Sequence, residues 1–435
     1  MRIAHEWLTT KRLCAQVADP MFVAVGSLGI HQIAAWGTSY YCLGVLAVPI
    51  GIDTGWSLSL IYFGFTVALL TMGLVSTWVG RAIDYYGARM VMTIGTLLVS
   101  IGLLVLSLVR SEATYLAVWV FIGLGMRMCL YDAAFAALVQ VLPSRGRLAI
   151  SYLTLFGAFA SSVFWVLGHF LNGAFGWRQT LVLFAAINLI ICLPLSWFGL
   201  ARRESSGAGT RTSDADTGSH SGPPLKGRLR SVAIALFALI MSLNGLVFGV
   251  VTVQLVPLLE AAGLTTAAAV WIASTKGFAQ FGGRIVEIFF GRNLHVITVA
   301  RVAIGILPAS FLLLLLAGGN FQYILAFTLL MGASQGVITI VRGSVPLVLF
   351  GTTGYATVLG LIATPILIVN AASPTLCAMV VDRWSWQSLQ VVLLVCSTAS
   401  WLAMEVMSRW YKRSRSHSTN NVSEQSRSGR TSCVD

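Results

Sequence analysis

Long uninterrupted apolar runs, separated by short polar gaps, dominate the chain. About 20 apolar residues can cross roughly 30 Å of hydrocarbon as a helix, and twelve runs qualify. They fall near 21–50, 57–79, 90–109, 113–142, 149–172, 179–199, 231–258, 265–282, 294–317, 321–349, 354–381 and 387–408. A transmembrane β-barrel would instead show alternating segments of about ten residues. The pattern therefore predicts an all-α polytopic membrane protein with twelve transmembrane helices.

A polar stretch in the middle of the chain divides the twelve runs into two groups of six. Residues 201–230 are rich in Ser, Gly, Thr and charge, and such a segment cannot bury enough apolar surface to fold alone. We expect a flexible cytoplasmic linker there. The other predicted units are an N-terminal segment (1–20), two six-helix bundles (21–200 and 231–408) and a disordered cytoplasmic tail (409–435).

Composition and charge agree with a membrane protein. The chain is 57% hydrophobic and 10% charged, with a mean hydropathy of +0.83, whereas soluble proteins carry about 25% charged residues. The net charge of +13 comes from basic residues in the gaps between runs, so it indicates topology and not nucleic-acid binding.

The basic residues also predict the orientation in the membrane. If alternate gaps lie on opposite sides, the lysines and arginines on one side are only Arg110, Arg178 and Arg383. The positive-inside rule places both termini and the linker in the cytoplasm, and we expect a bacterial inner (plasma) membrane. The first twenty residues lack a signal-peptide core, so the first span would direct insertion.

An internal repeat links the two groups. The stretches GRAIDYYGAR (80–89) and GRIVEIFFGR (283–292) are offset by 203 residues, and the same offset carries Pro143 onto Pro346. The matched pairs are Gly80 with Gly283, Arg81 with Arg284, Asp84 with Glu287, and Arg89 with Arg292. Two parallel repeats of six helices are expected when two bundles face each other across a central site.

With these residues the chain resembles the major facilitator superfamily of secondary transporters. The loop after the second span fits the family pattern Gly-x-x-x-Asp-x-x-Gly-x-Lys/Arg through Gly80, Asp84, Gly87 and Arg89. The second copy departs at Phe290, where the second glycine would fall. The resemblance implies two six-helix bundles that alternate access around a cavity lined by spans 1, 4, 7 and 10. It also implies that the two loop copies gate the cytoplasmic side.

The residue types of the loop support a gating role. Gly80 and Gly87 would let the backbone turn sharply, and Asp84 could pair with a basic residue or with a positive helix N-terminus. The alternative is a plain topology loop. The glycine-proline motif of proton-driven drug exporters is missing from span 5, which weakens a multidrug function without excluding it.

Ionisable and polar residues at membrane depth mark candidate functional positions. They are Trp36, Arg127, Asp132, Asn244, Lys276 and Gln335. Arg127 and Asp132 are five residues apart, about 140° around a continuous helix, so each is expected to find its partner elsewhere. Asp132 is either a proton carrier, since a buried carboxylate near cations can both bind and release a proton, or half of a static ion pair with Arg127 or Lys276.

Two further stripes were candidates for the cavity wall. Gln335, Thr339 and Arg342 share one face of span 10, with Arg342 either pointing inward or snorkelling to the headgroups. An inward Arg342 would make the cavity net positive and suited to a small organic anion. Gln32, Trp36, Ser39 and Tyr40 form a stripe on span 1 that serves either solute binding or helix packing.

The residue types that commonly act in catalysis do not form a catalytic motif in this sequence. The six histidines are scattered, and there is neither a nucleotide-binding loop nor a metal-ligand spacing, so we expect no cofactor and no metal. The sequence thus favours a monomeric, proton-coupled transporter of a small organic solute, anionic and monocarboxylate-like. The alternatives are a proton-driven efflux pump for toxic or hydrophobic compounds and, from another class, an integral-membrane lipid-modifying enzyme.

Overall fold

A computed structural model describes residues 19–201, 224–225 and 227–431 of the chain, and almost all of them are helical. We number the membrane spans in chain order. They are Pro20–Thr54, Leu58–Tyr86, Ala88–Ser107, Glu112–Val141, 146–175, 177–198, Gly227–Ala261, Thr266–Phe290, Val296–Leu315, Phe321–Phe350, Tyr355–Arg383 and the first part of Trp386–Thr431.

Ten helical segments in the described part of the chain are long and apolar enough to cross a membrane. One of them, Gly146–Phe198, holds two spans, because Gly176 interrupts it with a left-handed φ of 81°. The helix Thr266–Phe290 is also long enough, with 25 residues, but it carries polar side chains such as Lys276 and Arg284. Counted this way, the described helices make the twelve spans that the apolar runs predict.

Two of the spans are not continuous α-helices. In span 1 a π-helical turn, Trp36–Tyr40, separates the α-helices Pro20–Ala35 and Leu43–Thr54. In span 4 the helix Glu112–Cys129 stops at Leu130, whose ψ of −166° is extended, and a new helix begins at Tyr131. Residues at both interruptions, Trp36 and Leu130, line the space between the two halves of the chain.

Each half of the chain has its own apolar core. Two clusters of buried side chains lie mainly in spans 1–6, around residues such as Trp119 and Phe135, and two lie in spans 7–12, around Phe237 and Phe311. The halves meet where span 2 packs on span 11 and span 5 packs on span 8. These pairs are related by the internal repeat, so the contact between the halves is itself pseudo-symmetric.

At one end of the molecule the two halves touch backbone to backbone. A Cβ on Gly80 would lie 2.4 Å from the Ala356 carbonyl oxygen, and a Cβ on Gly360 would lie 2.5 Å from the Ser76 carbonyl oxygen. We call this the closed end. Gly80 lies inside the helix of span 2 and allows this close packing, so the prediction that the backbone turns at Gly80 is wrong. The turn is made by Gly87, whose φ is 88°.

Two of the expected boundaries shift. Span 7 begins at Gly227 instead of 231, and the Leu225 N–H just before it donates to the Leu349 carbonyl oxygen at 2.9 Å. The final helix continues to Thr431, so a tail boundary at 409 is too early; Tyr411 is buried in the core of the second half. Residues 1–18, most of the linker and residues 432–435 lie outside the described residues.

Candidate functional site

A cavity of about 410 Å³ lies between the two halves, within the range of typical ligand sites. Spans 1, 4, 7 and 10 contribute to its wall, together with parts of spans 2, 5, 8, 9 and 11. The expected site residues that line it are Trp36, Tyr40, Arg127, Asp132, Asn244, Gln335 and Arg342.

Asp132 is the acidic centre of this cavity. Its Oδ2 accepts a hydrogen bond from Arg342 Nη2 at 2.6 Å and lies 3.2 Å from Arg127 Nη1. Arg127 also donates through Nε to the Ser76 hydroxyl. Since Arg342 belongs to span 10 and the other residues to the first half, Asp132 ties the two halves together through an ion pair.

The pairing of Arg127 with Asp132 corrects the sequence analysis. The expected separation of about 140° assumed a continuous helix, whereas the extended Leu130 breaks span 4 between the two residues. The new helix begins at Tyr131, which places Asp132 in its first turn. A carboxylate there is also stabilised by the positive end of the helix dipole.

The cationic residues of the cavity differ in part from those expected. Arg342 points inward, with 28% of its side chain exposed, so the snorkelling alternative is wrong. Lys276 is not among the lining residues; its Nζ lies 5.7 Å from the centre of the Phe248 ring. Arg284 is there instead.

Arg284 was expected only in the gating loop. It is 5% exposed, donates through Nη1 to the Thr154 carbonyl oxygen of span 5 at 2.5 Å, and lies close to the cavity residue Tyr131. Its repeat partner Arg81 is exposed at the closed end, and nothing in the sequence distinguishes the two. We call Arg127, Asp132, Arg284 and Arg342 the charged cluster; three positive charges against one negative leave it with a net charge of +2.

Aromatic rings form the wall beside the charged cluster. The Trp36 ring centre lies 4.8 Å from that of Tyr40 and 5.1 Å from that of Tyr131. The span 1 stripe is therefore only half right. Gln32 and Ser39 are fully buried and donate hydrogen bonds to the Cys129 and Ala35 carbonyl oxygens.

Two buried amides in the cavity wall have an unpartnered polar atom. Asn244 donates through Nδ2 to Ser400 Oγ at 2.7 Å, and Gln335 Oε1 accepts from Gln280 at 3.5 Å. Both residues are buried, with 6% of their surface exposed, and no partner is present among the described residues for Asn244 Oδ1 or Gln335 Nε2. Leaving such atoms unpaired is costly, which makes them candidates for contacts with a solute.

Asp84 joins the halves at the closed end. Its carboxylate accepts hydrogen bonds from the Ala356 N–H at 3.2 Å, the Thr357 N–H at 2.8 Å and the Thr357 hydroxyl at 2.6 Å. It therefore caps the N-terminus of span 11 from the other half, where the cap position is occupied by Gly354 without a side chain. Of the two partners expected for Asp84, the helix N-terminus is the one observed.

The second loop copy makes a related contact between spans 8 and 5. Glu287 Oε1 lies 3.7 Å from Arg147 Nη2, and Arg147 donates to the carbonyl oxygens of Gly291 at 2.9 Å and Leu294 at 3.0 Å. Sequence reasoning missed Arg147. Gly283 packs inside the second half, where a Cβ would lie 2.4 Å from the Ala333 carbonyl oxygen.

Each loop copy ends in an arginine, Arg89 in the first copy and Arg292 in the second. The Arg89 guanidinium lies 4.1 Å from the centre of the Trp197 ring, within the first half. The side chain of Arg292 lies outside the described part of the chain. Among the described side chains of the two loop copies, Asp84, Arg284 and Glu287 contact the other half.

Comparisons with known proteins agree with this architecture. The family model described as Major Facilitator Superfamily matches residues 33–315. No curated protein matches the chain.

Several solved structures share the fold. The human organic anion transporter MFSD10 (TETRAN) has a TM-score of 0.68 at 16% identity, covering 88% of this chain and 99% of that one. The transporter FucP in its outward conformation has a TM-score of 0.67 at 15% identity, covering 89% and 99%. A variant of the E. coli fucose:proton symporter FucP gives 0.65 at 16% identity, covering 90% and 98%. At these identities the likeness concerns the fold alone.

Proposed function

The chain belongs to the Major Facilitator Superfamily, and from this premise we propose that it is a proton-coupled secondary transporter of a small organic anion of the monocarboxylate type. Membership indicates a multi-pass membrane transporter. The substrate and the coupling ion are the proposal, and they are argued from the cavity.

The charge of the cavity carries the proposal. The three arginines and one aspartate of the charged cluster line the same cavity, and Arg342 combines its bond to Asp132 with an exposed surface on that cavity. A guanidinium offers two parallel donors that match a carboxylate. A carboxylate entering the cavity would therefore compete with Asp132 for Arg342. The solved structure of MFSD10 is that of an organic anion transporter, which is compatible with such a substrate.

Asp132 is the proposed proton site. Its Oδ2 is shared by two arginines, and no partner is present for its buried Oδ1 among the described residues. Protonation would remove the charge that holds Arg342, freeing that guanidinium for the solute and loosening a tie between the halves. One proton and one monocarboxylate would then move together without net charge. FucP, a neighbour in fold, is a fucose:proton symporter.

The conformation is proposed to face outward. The closed end carries the linker side of spans 6 and 7, which the positive-inside rule assigns to the cytoplasm. There Asp84 caps span 11 and Arg147 bonds the end of span 8. With the cytoplasmic end closed, the cavity would be reached from outside.

Uptake into proteoliposomes tests the proposed substrate class. Labelled monocarboxylates should accumulate when the outside is acidic, beyond the uptake of empty liposomes. Arg342→Gln should lower the rate at least about tenfold, since one bidentate, charge-assisted bond is worth roughly 1.5–3 kcal/mol. Arg301→Gln is the matched control, because Arg301 pairs with Glu405 outside the cavity and should keep most of the activity. No uptake of any monocarboxylate, or equal loss in both variants, would contradict the proposal.

A second candidate function is proton-driven efflux of hydrophobic compounds. The observation that favours it is the phenylalanine surface of the second half, where Phe248, Phe278 and Phe281 line the cavity. Efflux of uncharged dyes that is insensitive to Arg342→Gln would support this alternative.

A further inference from the structure

We propose that the solute is an aromatic monocarboxylate with a polar ring substituent, of the hydroxybenzoate type. This inference rests on the proposed function, since it requires that the cavity accepts a carboxylate. It adds which part of the cavity each part of the solute contacts.

Aromatic side chains line the cavity on both halves. In the first half, Trp36 contacts Tyr40 and Tyr131 at tilted angles of 53° and 50°, and all three rings remain partly exposed. In the second half, Phe248 and Phe281 also line the space. Aromatic pairs gain energy from offset or edge contacts at 4.5–7 Å. A flat ring between these walls would find partners on both of its faces, whereas a short aliphatic chain would leave them without contacts.

Span 10 sets the distance between the charged and the polar contact. Gln335 and Arg342 are seven residues apart on one helix, which brings them to nearly the same face and separates them by about 10 Å along the axis. Arg342 lies nearer the closed end. A carboxylate at Arg342 would place the far side of an aromatic ring toward Gln335.

The unpartnered amide atoms suit a substituent that both donates and accepts. Gln335 Nε2 is a donor and Asn244 Oδ1 an acceptor, and both side chains are more than nine-tenths buried. A phenolic hydroxyl can both accept and donate a hydrogen bond, so it can pair with an atom of either kind. An unsubstituted ring would leave both atoms unpaired. The cavity therefore favours a hydroxylated ring over a plain one.

Equilibrium binding tests the assignment without transport. Labelled 4-hydroxybenzoate is bound to the purified chain in lipid nanodiscs and displaced by benzoate, cyclohexanecarboxylate or propionate. We expect 4-hydroxybenzoate to bind most tightly, then benzoate, with the two non-aromatic acids weaker.

Substitutions connect the binding preferences to the residues. Trp36→Leu should weaken benzoate binding roughly two- to tenfold and leave propionate unchanged, whereas Trp36→Phe should keep the aromatic preference. Trp78→Leu, at a position 65% exposed outside the cavity, is the matched control. Gln335→Leu should remove the preference for 4-hydroxybenzoate over benzoate. Elution as a single monodisperse peak checks that each variant is folded.

The contradicting results separate this inference from the proposed function. If propionate and cyclohexanecarboxylate compete as well as 4-hydroxybenzoate, the aromatic assignment is wrong while the anion transporter stands. If no carboxylate binds the folded wild-type chain, both proposals are overturned. An unchanged preference for the hydroxylated ring in Gln335→Leu would overturn the role of that amide.

Discussion

The carboxylate of Asp132 is shared by guanidinium groups that belong to different halves of the molecule. Arg127 is 2% exposed and lies on the same span, whereas Arg342 reaches across from span 10. Removing one partner from a buried ion pair costs about 3–5 kcal/mol, because a charge is left uncompensated. A proton or a solute carboxylate that reaches this cluster can therefore change the balance between conformations.

Asp132→Asn separates proton carriage from a structural ion pair. If Asp132 carries the coupling proton, the variant should lose uptake driven by a pH gradient and retain part of the exchange between equal concentrations of solute. Both modes are measured on one purified preparation. Asp53→Asn is the matched control, since Asp53 pairs with Arg178 outside the cavity. Parallel loss of both modes with a lowered melting temperature would leave Asp132 with a packing role only.

Sequence reasoning identified side chains that line the cavity better than it identified their partners. Residue type alone singled out Asp132, Arg127 and Asn244, because charge and amides are costly in hydrocarbon. Their partners depend on backbone geometry, and the extended Leu130 has no signature in the sequence. The same holds for Lys276 and Arg284, whose directions follow from the packing of span 8 on its neighbours.

The contact between spans 2 and 11 combines close packing with a helix cap. Gly80 and Gly360 allow the backbones to touch, and Asp84 then bonds the first N–H groups of span 11. Side-chain caps contribute about 0.5–2 kcal/mol. The family pattern pointed to Asp84, which does bond the other half, but the conformational freedom of glycine suggested a turn at Gly80. A glycine needed for a turn and a glycine needed for close packing cannot be distinguished from the sequence.

Asp84→Asn should shift the molecule toward opening of the closed end. An amide accepts these hydrogen bonds more weakly than a carboxylate, so the contact between residue 84 and the N-terminus of span 11 is weakened. The measurement is the labelling rate of a cysteine at Thr154, inside the closed end, in an otherwise cysteine-free chain. We expect faster labelling in Asp84→Asn and no change in Glu112→Gln, an exposed acid at the opposite end. Equal labelling rates and equal transport with Asp84 and with Asp84→Asn would argue against a gating role for this residue.

At the scale of the whole molecule, the internal repeat is visible in the fold. The offset of 203 residues relates the contact of spans 2 and 11 to that of spans 8 and 5, with Asp84 and Glu287 in matching places. The number of spans and their grouping could be predicted, because they follow from apolar length and repeat spacing. The cavity could not, since its wall depends on two helix interruptions.

Orientation in the membrane is tested by labelling the linker. Ser213→Cys, in a cysteine-free chain, should resist an impermeant maleimide in intact cells and react in inside-out vesicles. Thr54→Cys, at the far end of span 1, should show the reverse pattern. Strong labelling of Ser213→Cys from outside would overturn both the topology and the outward-facing assignment.

In the proposed transport cycle, an organic anion crosses by alternate opening of the two ends around the cavity. The side chains of Thr77 and Thr364 meet across the halves, with their hydroxyl oxygens 3.5 Å apart. Cysteines at both positions can be joined by a short bifunctional methanethiosulfonate reagent and released by reductant.

Carboxylate uptake into proteoliposomes, measured before cross-linking, after it and after reduction, is the most direct test. The cross-linked chain should still bind the solute but transport none of it, and reduction should restore the original rate. Single-cysteine chains treated in the same way should keep their activity. Full-rate carboxylate uptake by the cross-linked chain would contradict the account.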